Sequence, residues 1–263
     1  MSLKRFLDRA DESRRSLLVA NRSSPDPILN VLEATFDDQP VRVSERAVPD
    51  VETDTVLLVE DGEVLATSPL SALRDTIVTV NSDLYRTGAM GIDDLDMPAV
   101  LERLDDVRFT LRGYPKSNTE KLLLVVVSRY IEGIAWQAGH GRHRASFQYL
   151  SRIKDERGTR RVYERLAETD VDVHVYGRPD WVPSERFDVT THVGHDADFR
   201  DSWVVLFRPR PPTPDANAPD SPSTDHDPVA LLAIETEPHV WEGFWTFDQS
   251  LVADLDAYVA REL

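Results

Sequence analysis

The sequence contains no cysteine, which excludes disulfides, thiolate metal centres and cysteine nucleophiles. It is also nearly without lysine: only Lys4, Lys116, Lys121 and Lys154 occur, so arginine supplies almost all the positive charge. No apolar run approaches the roughly 20 residues that cross a bilayer. Leu122 to Val127, a run of six that no other exceeds, suits a buried helix. The first ten residues, Met1 to Ala10, hold neither an apolar signal core nor a small-residue cleavage site, so a cytoplasmic location is expected, with no membrane partner. There is no G-x-x-x-x-G-K-[ST] phosphate loop, G-x-G-x-x-G fingerprint, G-x-S-x-G elbow or H-E-x-x-H helix. Those gaps remove the commonest routes to nucleotide, acyl-transfer and zinc chemistry. No cofactor and no catalytic residue is expected.

What is present is acid. The 263 residues carry 47 acidic against 30 basic side chains, a formal net charge of −17. Asp outnumbers Glu, and the acids are spread along the chain rather than blocked. The skew is similar to that of proteins from salt-in halophilic archaea, where a Debye length of roughly 3 Å at 1 M salt makes self-repulsion tolerable. The rival reading is an acidic protein made for a basic partner. Either way the chain repels a phosphate backbone, and nucleic-acid binding is not expected.

Helical and strand patterns interleave throughout, which predicts a mixed α/β (α+β) architecture with mixed or mostly antiparallel sheets. A long central helix and a C-terminal helix are expected to pack on them. Leu3, Phe6, Leu7 and Ala10 recur at helical spacing. Strands are predicted over Ser16 to Ala20 and around Val41 and Val43, with a helix after Pro27 carrying Leu32 and Phe36. Asp61-Gly62 between Thr55–Val59 and Val64–Thr67 is a hairpin signal, because both turn residues tolerate positive φ. Helices are predicted over 69–78 and 99–104. The capping-box spacing Ser117-x-x-Glu120 opens the central helix, which runs to Ala138 and stops at Gly139.

Beyond it, strands are predicted over 145–150, 171–176, 189–193, 203–207, 229–236 and 243–247, with helices over 155–169 and 249–261. Residues 208–228, rich in Pro, Asp, Ser and Asn, read as a disordered insertion between two strands. The chain reads as one domain, 1–263, with sub-lobes 1–110 and 111–263.

Two aromatic stretches carry the candidate ligand-binding residues. From Glu132 to Tyr149 a helix ends, a basic turn follows and a strand begins, offering Trp136, Arg142 and Phe147 to a planar or anionic ligand. The plainer reading is a helix C-terminus that favours cations, followed by a core strand. In Trp241 to Phe247, alternation sends Trp245 and Phe247 to one face, as a ligand wall or as core. If both clusters faced one cavity they would form an apolar pocket with polar anchors. His192-Val-Gly-His195-Asp196 offers two imidazoles and a carboxylate, the basis of a competing reading as a metal-dependent hydrolase. His174, opposite Val171, Val173 and Val175, reads as a structural histidine.

Several segments taken together resemble the DICT sensory domain family, in its stand-alone haloarchaeal form. They are Ser2 to Phe6, Val59 to Glu63, Glu132 to Gly139, Phe147 to Ser151, Asp172 to Gly177 and Gly243 to Asp248, spread over nearly the whole chain. The resemblance implies a sensory or regulatory role without intrinsic catalysis. The expected input is a small-molecule ligand or a partner protein, with the output relayed through a signalling or regulatory protein partner. The resemblance names no ligand and carries over no binding residues. A pure protein-interaction scaffold is the remaining reading.

Overall fold

The computed structural model describes residues 2–10, 14–24, 36, 39–82, 97–112, 121–210 and 226–263. The fold is mixed α+β, built on two mixed sheets of four and seven strands. After a 3₁₀ turn, Leu3–Arg9, come strands β1 (Arg15–Ala20), β2 (Arg42–Arg46), β3 (Thr55–Glu60) and β4 (Glu63–Pro69). They form the smaller sheet in the order β2-β1-β3-β4, with β1 and β2 parallel and the others antiparallel. The β3–β4 turn is the one predicted: Asp61 and Gly62 have φ of 49° and 91°, values that match the right-handed twist of the strands they join.

Helix α1 (Leu70–Ser82) and the single turn α2 (Ala99–Glu102) lead to β5 (Phe109–Arg112). Then follow the central helix α3 (Lys121–Ala138), β6 (His140–Tyr149), α4 (Arg152–Asp155), α5 (Arg157–Leu166), β7 (Asp170–Arg178) and β8 (Thr190–Val193). The chain closes with α6 (Ala197–Arg200), β9 (Ser202–Arg208), β10 (Val229–Glu237), β11 (Val240–Thr246) and α7 (Gln249–Glu262). The larger sheet runs β5-β11-β10-β9-β6-β7-β8. Its β6–β7 and β7–β8 pairs are parallel and the rest antiparallel.

Each face of the larger sheet has its own core. On one, Val173, Val175, Val205 and Leu231 meet Leu124, Val127 and Ile131 of α3, and the same cluster continues to Leu17, Val19, Val56 and Leu58 of the smaller sheet. On the other, Leu206, Leu232 and Phe244 pack under Leu3, Phe6 and Leu7 and under Leu255, Tyr258 and Val259 of α7. Each such side chain contributes about 1.5–3 kcal/mol by leaving water. Asp248 caps α7 by accepting from the Leu251 amide at 2.6 Å.

Several expectations are revised. The division at residue 110 falls inside β5, and the N-terminal turn packs on the larger sheet, so the two sub-lobes do not follow that boundary. Strand β5 had no pattern long enough to announce it. Strand β6 starts at His140, where a basic turn was expected. The predicted helix over 155–169 is split into α4 and α5 at Glu156. The helix after Pro27, the Ser117 capping box and residues 211–225 of the expected insertion lie outside the described residues. Strands β9 and β10, which flank that insertion, pair directly with each other.

Candidate functional site

Helix α3 is apolar where it meets the sheets, through Leu124, Val127, Ile131 and Ala135. Ser128, Arg129 and Glu132 share another side of it and are also buried. Charged residues so enclosed need partners, because an unpaired ion in low dielectric costs several kcal/mol. Arg129 Nη1 donates to Glu132 Oε2 one helical turn away, and its Nη2 donates to Thr159 Oγ1 of α5 at 2.9 Å. The Thr159 hydroxyl in turn donates to Glu156 Oε2 at 3.1 Å. On the strand side Trp203 Nε1 of β9 donates to Ser128 Oγ at 3.0 Å.

This network lines a cleft between α3, α5 and the strands β6 and β9. Val125, Phe147, Trp203 and Val205 give it an apolar wall, while Gln148, Arg152 and Glu156 add polar groups. The cleft holds about 40 Å³, room for a few water molecules. Burial pushes the Glu132 carboxyl above its usual range; Arg129 pulls it back and the nearby Glu156 charge raises it further. The Arg129 guanidinium therefore bonds one carboxylate and senses the charge of a second, Glu156, through space. Behind them Tyr163, also fully buried, lies 3.4 Å from His143 Nε2, and burial pushes His143 down to about 3. The His143 ring is neutral at ordinary pH.

Of the five residues singled out from sequence, the cleft takes Phe147 alone. Its ring meets Tyr163 edge-on at 5.7 Å. Trp136 lies beneath the Arg165 guanidinium at 5.1 Å and is not part of the lining. Arg142 is on the opposite face of the sheet, ion-paired with Asp172 at 3.3 Å and Asp256 at 3.8 Å. The reason is the period of two in a strand: positions 142 and 147 differ by an odd number. Trp245 packs at 5.9 Å from Phe109 and edges a separate crevice of about 10 Å³ that also touches Phe36 and Leu123. Phe247 packs edge-on against Tyr130 at 6.4 Å. The five do not converge on one cavity.

The residues that do line the cleft were legible in one respect. Ser128, Arg129 and Glu132 interrupt an otherwise apolar helix, and an Arg–Glu pair three apart on a buried face is a constellation that demands explanation.

The His192 segment is dispersed too. His192 stacks on Tyr176 with ring centroids 4.4 Å apart, and its Nε2 lies 2.9 Å from Nδ1 of His174. His195 is exposed, and Asp196 is occupied as the cap of α6, accepting from the Phe199 amide at 3.3 Å. Among the described residues no group of three or more His, Asp or Glu side chains is arranged to hold a metal ion. Nor is any helix among them long and apolar enough to cross a membrane.

Fold and site thus define a mixed α+β protein with a narrow polar cleft beside its central helix. No family model matches the chain, and no curated relative matches it in sequence. Among solved structures it is similar to the polyphosphate kinase of Porphyromonas gingivalis, at a TM-score of 0.30 and 11% identity. That similarity covers 93% of this chain and 45% of the kinase. The chain spans less than half that enzyme's length, and so low a score carries no functional argument.

Proposed function

We propose that the chain is a non-catalytic sensory or regulatory domain of the DICT kind, which binds a small ligand in the α3–α5 cleft and relays the signal through a protein partner. The observation that carries this reading is the Arg129–Glu132 pair, whose side chains are 9% and 3% exposed yet border a cleft. A buried ion pair is a poor way to gain stability, since apolar residues of the same volume do as well or better. It is a good way to hold a site that recognises polar groups.

At about 40 Å³ the cleft is too small for a metabolite in its closed form. A ligand enters by moving α4 and α5 away from α3, and such a ligand binds the open and closed states with different affinity. That difference is what a sensor needs to shift its own equilibrium. The same reading places the protein in a salt-rich cytoplasm, on the strength of its net charge of −17. The test is a thermal-shift screen of metabolites and nucleotides in concentrated KCl, joined to pull-downs from a salt-adapted cell. Compounds that raise the melting temperature and a specific protein partner are expected. No stabilising compound and no partner would remove the reading's support.

A further inference from the structure

A second concave site, on the opposite face of the larger sheet, has the reverse electrical character to the rest of the chain. It lies between the N-terminal turn and α7, has a volume of about 430 Å³, and among the described residues is lined by Arg5, Arg9 and Arg261 with Asp254 as the carboxylate of the lining. A chain of net charge −17 does not line one groove with three guanidinium groups by average composition, even with Glu262 paired to Arg261 beside it.

The walls of the groove are held firmly. Phe6 and Tyr258 meet edge-on at 5.6 Å, and the Arg5 guanidinium lies over both rings, 4.8 Å and 4.9 Å from their centroids. The Tyr258 hydroxyl donates to Asp198 at 2.6 Å, and the same carboxylate accepts from the Ser2 hydroxyl and the Leu3 amide. Asp198 thereby pins the N-terminal turn beside α7. Among the described residues the two outer arginines make exposed pairs: Arg9 with Asp254 at 3.4 Å, and Arg261 with its neighbour Glu262 at 2.6 Å. Pairs of that kind are worth little and are easily exchanged for a better acceptor.

We infer that this groove is a binding site for a small ligand carrying two or more oxyanion groups, a phosphate ester or a polycarboxylate. Arg9 and Arg261 grip the oxyanions through charge-assisted hydrogen bonds, and Arg5, fixed by its rings, presents a preset charge between them. Asp254 is the competitor that the ligand displaces from Arg9. Contact pairing of this sort is weakened by concentrated salt, but less than attraction at longer range, which is screened away.

The test is isothermal titration of the full chain with inorganic pyrophosphate and with citrate at constant high ionic strength. Wild type, the Arg9→Gln/Arg261→Gln double variant and Asp254→Asn are compared, with circular dichroism to confirm the fold. Wild type should bind at least one probe saturably. The double variant should bind it about tenfold or more weakly, and Asp254→Asn should bind it more tightly, because the competing carboxylate is gone. Tighter binding of pyrophosphate assigns a phosphoryl ligand; tighter binding of citrate assigns a polycarboxylate. No saturable binding of either probe to wild type overturns the inference. So does unchanged affinity in the double variant, or equal or weaker affinity in Asp254→Asn. The cleft beside α3 is untouched by these variants, so the result is independent of its role.

Discussion

Arg144 of β6 donates through Nε to Asp256 Oδ1 of α7 at 2.5 Å, across 112 positions of sequence, and both side chains are only 5% exposed. Asp256 also accepts from Arg208 of β9 at 2.6 Å. One carboxylate therefore ties the C-terminal helix to two strands of the larger sheet. Burial works to raise the Asp256 pKa, but the hydrogen bonds and charges of Arg144 and Arg208 hold it below its usual value.

Removing that carboxylate leaves Arg144 buried without its counter-ion. Asp256→Ala is expected to cost about 3–5 kcal/mol, the range for breaking a buried pair from one side. Denaturant midpoints of wild type and variant measure it. Because the native carboxylate titrates below the unfolded one, its stabilisation is complete above about pH 4 and is lost as the pH falls through the folded value. The variant should lack that part of the acid-induced loss.

The buried imidazole of His143 gives a second, higher pH window. Its ordinary value of 6.5 falls to about 3 in the fold, chiefly through burial. Below pH 6.5 the unfolded chain takes up a proton that the folded chain refuses, so stability falls as the pH drops from 6.5 toward 3. At pH 5 the loss is about 2 kcal/mol. Urea midpoints measured from pH 7 to pH 4.5 should show this slope in wild type and a clearly flatter one in His143→Leu.

Gly141 is expected to tolerate no side chain. Its φ is +122°, and a Cβ there would stand 2.6 Å from the Arg208 carbonyl oxygen and 2.9 Å from the Phe207 ring. The strained backbone alone costs about 1–3 kcal/mol, and the carbonyl it strikes belongs to the paired strand β9. Gly141→Ala should therefore lower the denaturation midpoint clearly, whereas Gly62→Ala, with nothing within 4 Å of its Cβ, pays only for its positive φ.

These residues also mark where the sequence was readable. The Asp61-Gly62 turn, the helix stop at Gly139, the alternation of Val171, Val173 and Val175 and the apolar stripe of α7 were all visible, because each follows a local rule. Strand β6 was hidden at its start. His140 to Arg144 look like a charged turn after a helix-ending glycine, and no local rule says that His143 and Arg144 are buried. Their burial depends on Tyr163, Tyr176 and Asp256, partners 20, 32 and 112 residues away. The same mistaken turn hid the alternation that separates Arg142 from Phe147. The cleft was missed because Arg129 and Glu132 sit inside an apolar helix, where a reading based on its hydrophobic face passes over them.

The most direct test replaces the pair at the cleft with apolar groups of similar size, Arg129→Met with Glu132→Leu, and compares melting temperatures with and without the compounds that stabilise wild type. The variant should melt at or above the wild-type temperature and show no response to those compounds. Wild type should rise by about 5 °C at ligand concentrations near one hundred times Kd. A variant that keeps the full ligand-induced rise would contradict the assignment of the cleft, and a wild type that responds to no compound would contradict the existence of a ligand.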